Sequence, residues 1–356
     1  MIQALSASTG LALDDPAFWM PLALFFLLFV LMLGAVLLDG FDIGVGLLMR
    51  AAPAAHRSDL LVALSPWREA NEFWMILAVG LFVAAFPVAW GDILSHLYIP
   101  LTMTAIGSAL RGVAFEYRVR SDSSHRLSWI RRFWLGSLLT AFGHGLLLAI
   151  VVTGYPEPGK YIWFGLFIGV CAVAAYALLG ATWLVMRERG ALQSLAAAWA
   201  RHAIRWVAAG MVAVSFALGL TNPAIFYKWT STNSLIFTMP IWAVMLACFV
   251  VMEMALARVS RPNVQKWSNV PFYLCALMMT LMMGGLAYSV FPFVVLDSLT
   301  IWDAAAALSS LKLVMSATII AVPVMLIFNL FAYRSMFSSS RRAPRWSELL
   351  IKLSSR

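Results

Sequence analysis

Nine apolar runs, at roughly 18–40, 73–91, 94–115, 133–153, 162–186, 204–222, 236–257, 270–292 and 313–335, occupy most of the chain. Several exceed the about 18 residues that a helix needs to cross a bilayer, and the first carries no charge from Phe18 to Leu38. A water-soluble fold of this size cannot solvate so much apolar surface. With 62% hydrophobic and 12% charged residues over 356 positions, the expected class is an all-α integral membrane protein of about nine transmembrane helices. The first run is not expected to be a cleaved signal peptide: it lacks a basic leader, is too long, and follows Asp14 and Asp15. Cys171, Cys248 and Cys275 all fall inside apolar runs without CxxC spacing, so neither disulfides nor thiolate metal sites are expected.

The basic residues set the expected orientation. Only Lys160, Lys228 and Lys312, among 25 Lys and Arg, fall on the N-terminal segment and on the connections near Asp92, Tyr155, Lys228 and Asp297. The remainder lie on the alternate connections and on the C-terminal tail. By the positive-inside rule the N-terminus is outside and the C-terminus cytoplasmic. The net charge of +9 therefore reads as topology, with a secondary attraction to anionic membrane lipid, and nucleic acid is not an expected partner.

The first run ends in Leu38-Asp39-Gly40-Phe41-Asp42-Ile43-Gly44-Val45-Gly46. If the helix continues, Asp39 and Asp42 share one face, since residues three apart are neighbours on a helix. Gly40 and Gly44 lie together on another face, spaced for close approach by a second membrane helix. One side invites tight packing and the other offers two acids, a poor design for a mere anchor. Next comes Ser65-Pro66-Trp67-Arg68-Glu69-Ala70-Asn71-Glu72-Phe73-Trp74. Here Pro66 can open a helix whose first turns suit Glu69 and Glu72 through the helix dipole. The functional alternative brings Glu69 and Asn71 near Asp39 and Asp42 at the cytoplasmic end.

Arg111 sits within the third run, where an arginine either snorkels to the interface or pairs with a buried acid. A desolvated guanidinium there would keep a nearby carboxylate ionised. His144 is mid-span, and a lone histidine there packs or hydrogen-bonds more often than it ligates haem. No second histidine opposes it, so no histidine-rich metal centre is expected. Glu253 near Arg258 reads as snorkelling, and Met278-Met279-Thr280-Leu281-Met282-Met283 as apolar packing. Phe86-Pro87 through His96 reads as a tight outer turn. The apolar loop after Phe291-Pro292-Phe293 is expected to tuck against a partner or the bundle's outer surface, and the basic tail to lie at the membrane surface. No P-loop, Rossmann glycine pattern or soluble Ser/His/Asp arrangement is present.

These residues together resemble subunit II of the bd-type quinol oxidases, including their cyanide-insensitive relatives. The resemblance is carried by Asp39-Gly40-Phe41-Asp42-Ile43-Gly44-Val45-Gly46 and by Glu69-Ala70-Asn71-Glu72-Phe73-Trp74. It continues through Phe86-Pro87, Arg111-Gly112-Val113-Ala114-Phe115-Glu116-Tyr117-Arg118 and Phe291-Pro292-Phe293. Ser298-Leu299-Thr300-Ile301-Trp302-Asp303-Ala304 and Leu311-Lys312-Leu313-Val314-Met315 complete it, in family order along nearly the whole chain.

The resemblance implies two four-helix bundles (18–153 and 162–292), a peripheral ninth helix (313–335) and a basic tail (336–356). It implies a subunit of a complex that oxidises quinol and reduces dioxygen to water in the bacterial cytoplasmic (inner) membrane. Haem b and haem d, or b-type haem only, are expected in the partner, subunit I, with no catalytic residue, metal or confidently bound cofactor in this chain. Quinone, membrane lipid and small single-helix accessory subunits are further expected partners. The implied proton-pathway residues are Asp39, Asp42, Glu69 and Arg111. Gly40, Gly44, Asn71, Trp74, Glu116, Trp302 and Asp303 are implied as structural motif positions. The family commonly has Trp directly before the acid at Glu69, whereas here Arg68 intervenes, and Glu72 follows Asn71 where a neutral residue or His is usual. The alternatives are a purely structural subunit, a diverged paralogue with another partner, and a stand-alone transporter. The last is disfavoured by the lack of a midplane polar cluster in broken helices.

Overall fold

The computed structural model describes residues 2–57, 60, 64, 68–120, 123–155, 159, 161–221, 223–259 and 267–339. Its helices are α1 (Ile2–Thr9), α2 (Pro16–Leu48), α3 (Arg68–Ala85), α4 (Pro87–Arg120), α5 (Ser123–Val152), α6 (Ile162–Arg187), α7 (Ala191–Thr221), α8 (Pro223–Thr230), α9 (Thr232–Val259), α10 (Val270–Val290), α11 (Ile301–Ala304) and α12 (Leu308–Ser339). A 3-10 turn spans Ala54–His56, and a two-stranded antiparallel hairpin pairs β1 (Phe293–Val295) with β2 (Leu299–Thr300).

Among the described residues, seven helical stretches are long and apolar enough to cross a membrane: Pro16–Leu48, Ile93–Tyr117, Leu127–Val152, Ile162–Arg187, Ser234–Val259, Val270–Val290 and Leu308–Arg334. The other two runs expected to span fall on α3, whose apolar part Ala70–Ala85 is shorter, and on α7. The first half of α7 carries Arg201, His202 and Arg205, which interrupt its apolar character.

Local sequence explains the main boundaries. Asp15 caps α2, its Oδ1 accepting from Ala17 N at 2.8 Å, and Pro16 supplies the fixed φ of a first helical position. The helix does not stop at the acids but runs on to Leu48, carrying Asp39 and Asp42 inside a regular helix. The expected outer turn from Phe86-Pro87 through His96 contracts to Phe86 alone. Pro87 begins α4 directly, because a proline's missing N–H is no loss at a helix start, and residues 87–96 are helical.

Helix α2 packs against α3, α5 and α6; α4 lies along α5, α6 along α7, and α10 against both α9 and α6. Helix α12 rests on α3 and α2. The tightest crossing uses the glycines of α2. A Cβ on Gly44 would overlap the Tyr176 carbonyl and the Gly180 backbone of α6, so the two helices meet backbone to backbone there. One core forms beside this crossing, where Phe41 stacks on Trp183 at 4.1 Å among Leu184, Met252 and Cys275. Met278 and Met279 are buried in the same core, and another is built on Leu24, Leu31, Trp74, Leu81 and Phe86.

The loop after α10 closes on this chain itself. Val295 and Ile301 are buried in the second core, Trp302 stacks on Phe18 at 5.3 Å, and its Nε1 donates to the Phe18 carbonyl at 3.0 Å. A capping box between Thr300 and Asp303 starts α11. Residues 340–356, most of the basic tail, lie outside the described residues.

Candidate functional site

The site forms where α2, α3, α4 and α12 meet, and every group in it is placed by a helix. Asp39 and Asp42 project from α2, Arg68, Asn71 and Glu72 from the first turns of α3, Arg111 from α4, and Asn329 and Tyr333 from α12. Arg111 is fully buried and its Nη2 donates to Asp39 Oδ1. Of the two readings of Arg111, the buried pair is the one observed. The same Nη2 lies 3.6 Å from Glu72 Oε1, and Glu72 Oε1 lies 3.0 Å from Arg68 Nη2. Two cations and two carboxylates thus alternate along one chain, and the near-neutrality of that set makes the burial tolerable. Arg68, itself buried, lays its guanidinium 4.9 Å from the centre of the Phe115 ring.

Asp42 is on the other branch. It is fully buried, and its Oδ2 accepts from Asn71 Nδ2 at 2.9 Å. Asn71 Oδ1 in turn accepts from the Tyr333 hydroxyl at 2.8 Å. One turn earlier on α12, Asn329 Nδ2 donates to the Ala70 carbonyl at 3.0 Å, and its Oδ1 accepts from Trp74 Nε1 at 3.1 Å. These bonds fasten the last helix to α3. Several buried atoms have no hydrogen-bond partner among the described residues: Asp42 Oδ1, Arg111 Nε and Nη1, and Arg68 Nε and Nη1. Buried polar atoms of this kind need water or another chain to satisfy them.

Of the residues singled out in the sequence, Asp39, Asp42, Asn71, Trp74 and Arg111 converge here. Glu69 opens α3 beside Arg68, but its side chain lies outside the described residues. Glu116 is exposed on α4, and Trp302 and Asp303 are near the other end of α2, about 30 Å along the helix at 1.5 Å per residue. Gly40 faces Leu179 and the Tyr176 ring of α6. His144 is engaged by Tyr176, whose hydroxyl is 2.8 Å from Nδ1. Glu253 does not simply snorkel: Arg201 Nε approaches its Oε1 at 3.2 Å, with both side chains about 40% exposed.

Arg68 and Glu72, the two departures from the resembled pattern, are each other's ion-pair partners. Tyr333 and Asn329 escaped notice. The available signal was an asparagine in a run otherwise apolar for nearly three turns before it and about one turn after, a residue that membrane helices place where it can bond to a neighbour. Among the described residues, no group of three or more His, Cys, Asp and Glu side chains is arranged to hold a metal ion.

A helical membrane protein with buried acids and a buried arginine where four helices meet is a recognisable class. This class is also the one that comparison with known proteins returns. Residues 20–336 match the family model of cytochrome bd terminal oxidase subunit II, and the chain belongs to that family. It is 26% identical to subunit 2 of the cytochrome bd-I ubiquinol oxidase of Escherichia coli (strain K12), over 86% of this chain and 92% of the relative. To subunit 2 of the cytochrome bd ubiquinol oxidase of Bacillus subtilis (strain 168) it is 27% identical, over 87% and 93%. A chain of the bd oxidase from Geobacillus thermodenitrificans shares the fold, with a TM-score of 0.71 at 16% identity, covering 89% of this chain and 98% of that one. The relatives are subunits of a quinol-oxidising oxidoreductase complex, so this chain is a multi-pass membrane subunit with a subunit I partner.

Proposed function

We propose that this chain serves its oxidase in two ways: it stabilises the haem-bearing subunit I, and it carries protons from the cytoplasm toward the oxygen-reducing centre through Asp39, Asp42 and Glu69. Asp42 is the observation that carries the second role. Its Oδ1 is fully buried and without a partner among the described residues, so it can take a proton without breaking an existing bond. Asp39, one turn away on the same helix, is fastened to Arg111, which positions the second acid of the route beside Asp42. Beside it, the free N–H groups of Arg111 and Arg68 are donors able to hold water along the route.

The haems and the principal quinol site are assigned to subunit I. His144 is bonded to Tyr176, and no step of this reading passes through a haem in this chain. The arrangement of α2–α5 and of α6, α7, α9 and α10 supports the division into bundles 18–153 and 162–292, with 313–335 applied to the first. The charge alternation supports an outside N-terminus in the inner membrane.

The test is Asp42→Asn and Asp39→Asn in the purified two-subunit complex. Quinol oxidase turnover per haem is expected to fall sharply while haem content and complex yield persist. If yield falls instead and turnover per haem is unchanged, the acids only hold the helices together.

A further inference from the structure

Beyond the oxidase reading, the C-terminal end of α2 borders a cavity of about 280 Å³ that the proposed proton route does not use. It is lined by Arg50 at the end of α2, Arg57 after the 3-10 turn, and Arg131 and Trp134 on α5, with Leu127 and Ile130 beside them. Three arginines share the lining of one small space. Among the described residues, none of the three makes an ion pair, and no acidic side chain lines the cavity. Like charges converge in this way only at a cost, unless an anion joins them.

The geometry points to a binding site for a phosphoryl group, supplied by the headgroup of an anionic phospholipid or by free phosphate. Arginine is suited to this ligand, because its planar donor fork meets two phosphate oxygens at once. Arg57 is oriented by its own Nε, which donates to the Ala52 carbonyl at 3.2 Å, and Arg50 rests with its guanidinium carbon 5.0 Å from the Trp134 ring centre. Trp134 and the exposed Leu127 give the cavity an apolar side, which a lipid's glycerol and upper chain would cover while its phosphate meets the arginines. The site lies on the side where the basic connections gather, the side of the bilayer on which anionic headgroups attract arginine.

The experiment compares the purified oxidase complex with an Arg50→Gln/Arg131→Gln variant in phosphatidylcholine nanodiscs titrated with phosphatidylglycerol, followed by native mass spectrometry. In a second arm, inorganic phosphate is titrated into the delipidated complex in detergent. The double variant is expected to weaken phosphatidylglycerol binding about thirty-fold, equivalent to about 1 kcal/mol for each cation removed. Arg50→Lys/Arg131→Lys should restore only part of it, because the charge returns without the donor fork. Phosphate binding that the same substitutions abolish would identify free phosphate as the ligand. Equal affinity of wild type and both variants for both probes overturns the site. Arg57→Gln provides the same comparison should the double variant fail to assemble with its normal haem spectrum.

Discussion

The Tyr333 hydroxyl donates to Asn71 Oδ1 at 2.8 Å, bridging 262 residues of sequence to reach the amide that holds Asp42. The last helix therefore orients the buried acid at one remove. Asn71 presents one face to each neighbour: its Nδ2 must point at the carboxylate because its Oδ1 is claimed by the phenol.

Tyr333→Phe removes only that orienting bond. Stability should fall by about 1 kcal/mol, the usual net worth of one hydrogen bond. Asn71→Leu should cost about 1–3 kcal/mol, since it leaves a buried carboxylate oxygen and a phenol both unpaired. Thermal unfolding of the complex, read by near-ultraviolet circular dichroism, gives both. Turnover should fall further in Asn71→Leu than in Tyr333→Phe, and equal turnover in the two would show that the Asn71 hold on Asp42 does not bear on turnover.

Glu72 is shared between Arg68 at 3.0 Å and Arg111 at 3.6 Å, and its side chain is 32% exposed. Water screens it in part, so Glu72→Gln should destabilise by about 1–2 kcal/mol, short of the 3–5 kcal/mol for breaking a fully buried pair. Adding Arg68→Gln should recover part of that loss, because the uncompensated cation leaves with it. A double-mutant cycle on unfolding midpoints measures the coupling. Strict additivity would mean that the Arg68–Glu72 contact contributes nothing.

Much of this arrangement was legible beforehand, for physical reasons that differ by residue. Asp39, Asp42 and Arg111 stood out because ionised groups are rare in apolar runs, and membrane burial forces such groups to find each other. The partnership of Gly44 with another helix followed from small-residue spacing, although the sequence could not say that Gly180 and Tyr176 would be the partners. The extent of α2 was not legible, because two carboxylates look like the end of an apolar helix unless their cation is known. Arg68 and Glu72 read as departures from the family pattern, with Glu72 suited to a first helical turn: an i, i+4 pair becomes part of a site only when a third helix brings Arg111 against it. Tyr333 was hidden by distance, since its bond depends on how α12 docks on α3.

Lys228, on the short helix α8, donates from Nζ to the carbonyls of Tyr288 at 2.6 Å and Phe291 at 2.7 Å, closing the C-terminal end of α10. Half-burial makes the ammonium less favourable and holds its pKa below the ordinary 10.5. Between that lowered value and 10.5 the unfolded chain binds more protons than the folded one, so stability should rise with pH across that window. The neutral amine keeps two N–H donors, enough for both carbonyls. Lys228→Met should lose the pH slope and melt lower throughout, because those carbonyls then lack a donor. Unfolding midpoints across the alkaline range test this, and an unchanged slope in the variant would assign it to another group.

Gly40 and Gly44 lie one turn apart on α2, yet they should respond unequally to a methyl group. At Gly40 the new Cβ would meet Leu179 Cδ2 and the Tyr176 ring at 3.0 Å, both side-chain atoms able to shift by a few tenths of an ångström. At Gly44 it would meet the Tyr176 carbonyl and the Gly180 backbone, which can move only if the whole of α6 is displaced. Overpacking of a fixed site costs about 1–3 kcal/mol, so Gly44→Ala should fall in or above that range while Gly40→Ala stays below it. Displacing α6 would also disturb the Phe41–Trp183 stack at 4.1 Å, which lies on the same pair of helices. Gly44→Ala should therefore lower the yield of assembled complex and broaden its melting transition, and Gly40→Ala should do neither. A reversed order in the two melting curves would show that α2 and α6 approach along the Gly40 side, with Gly44 facing open space.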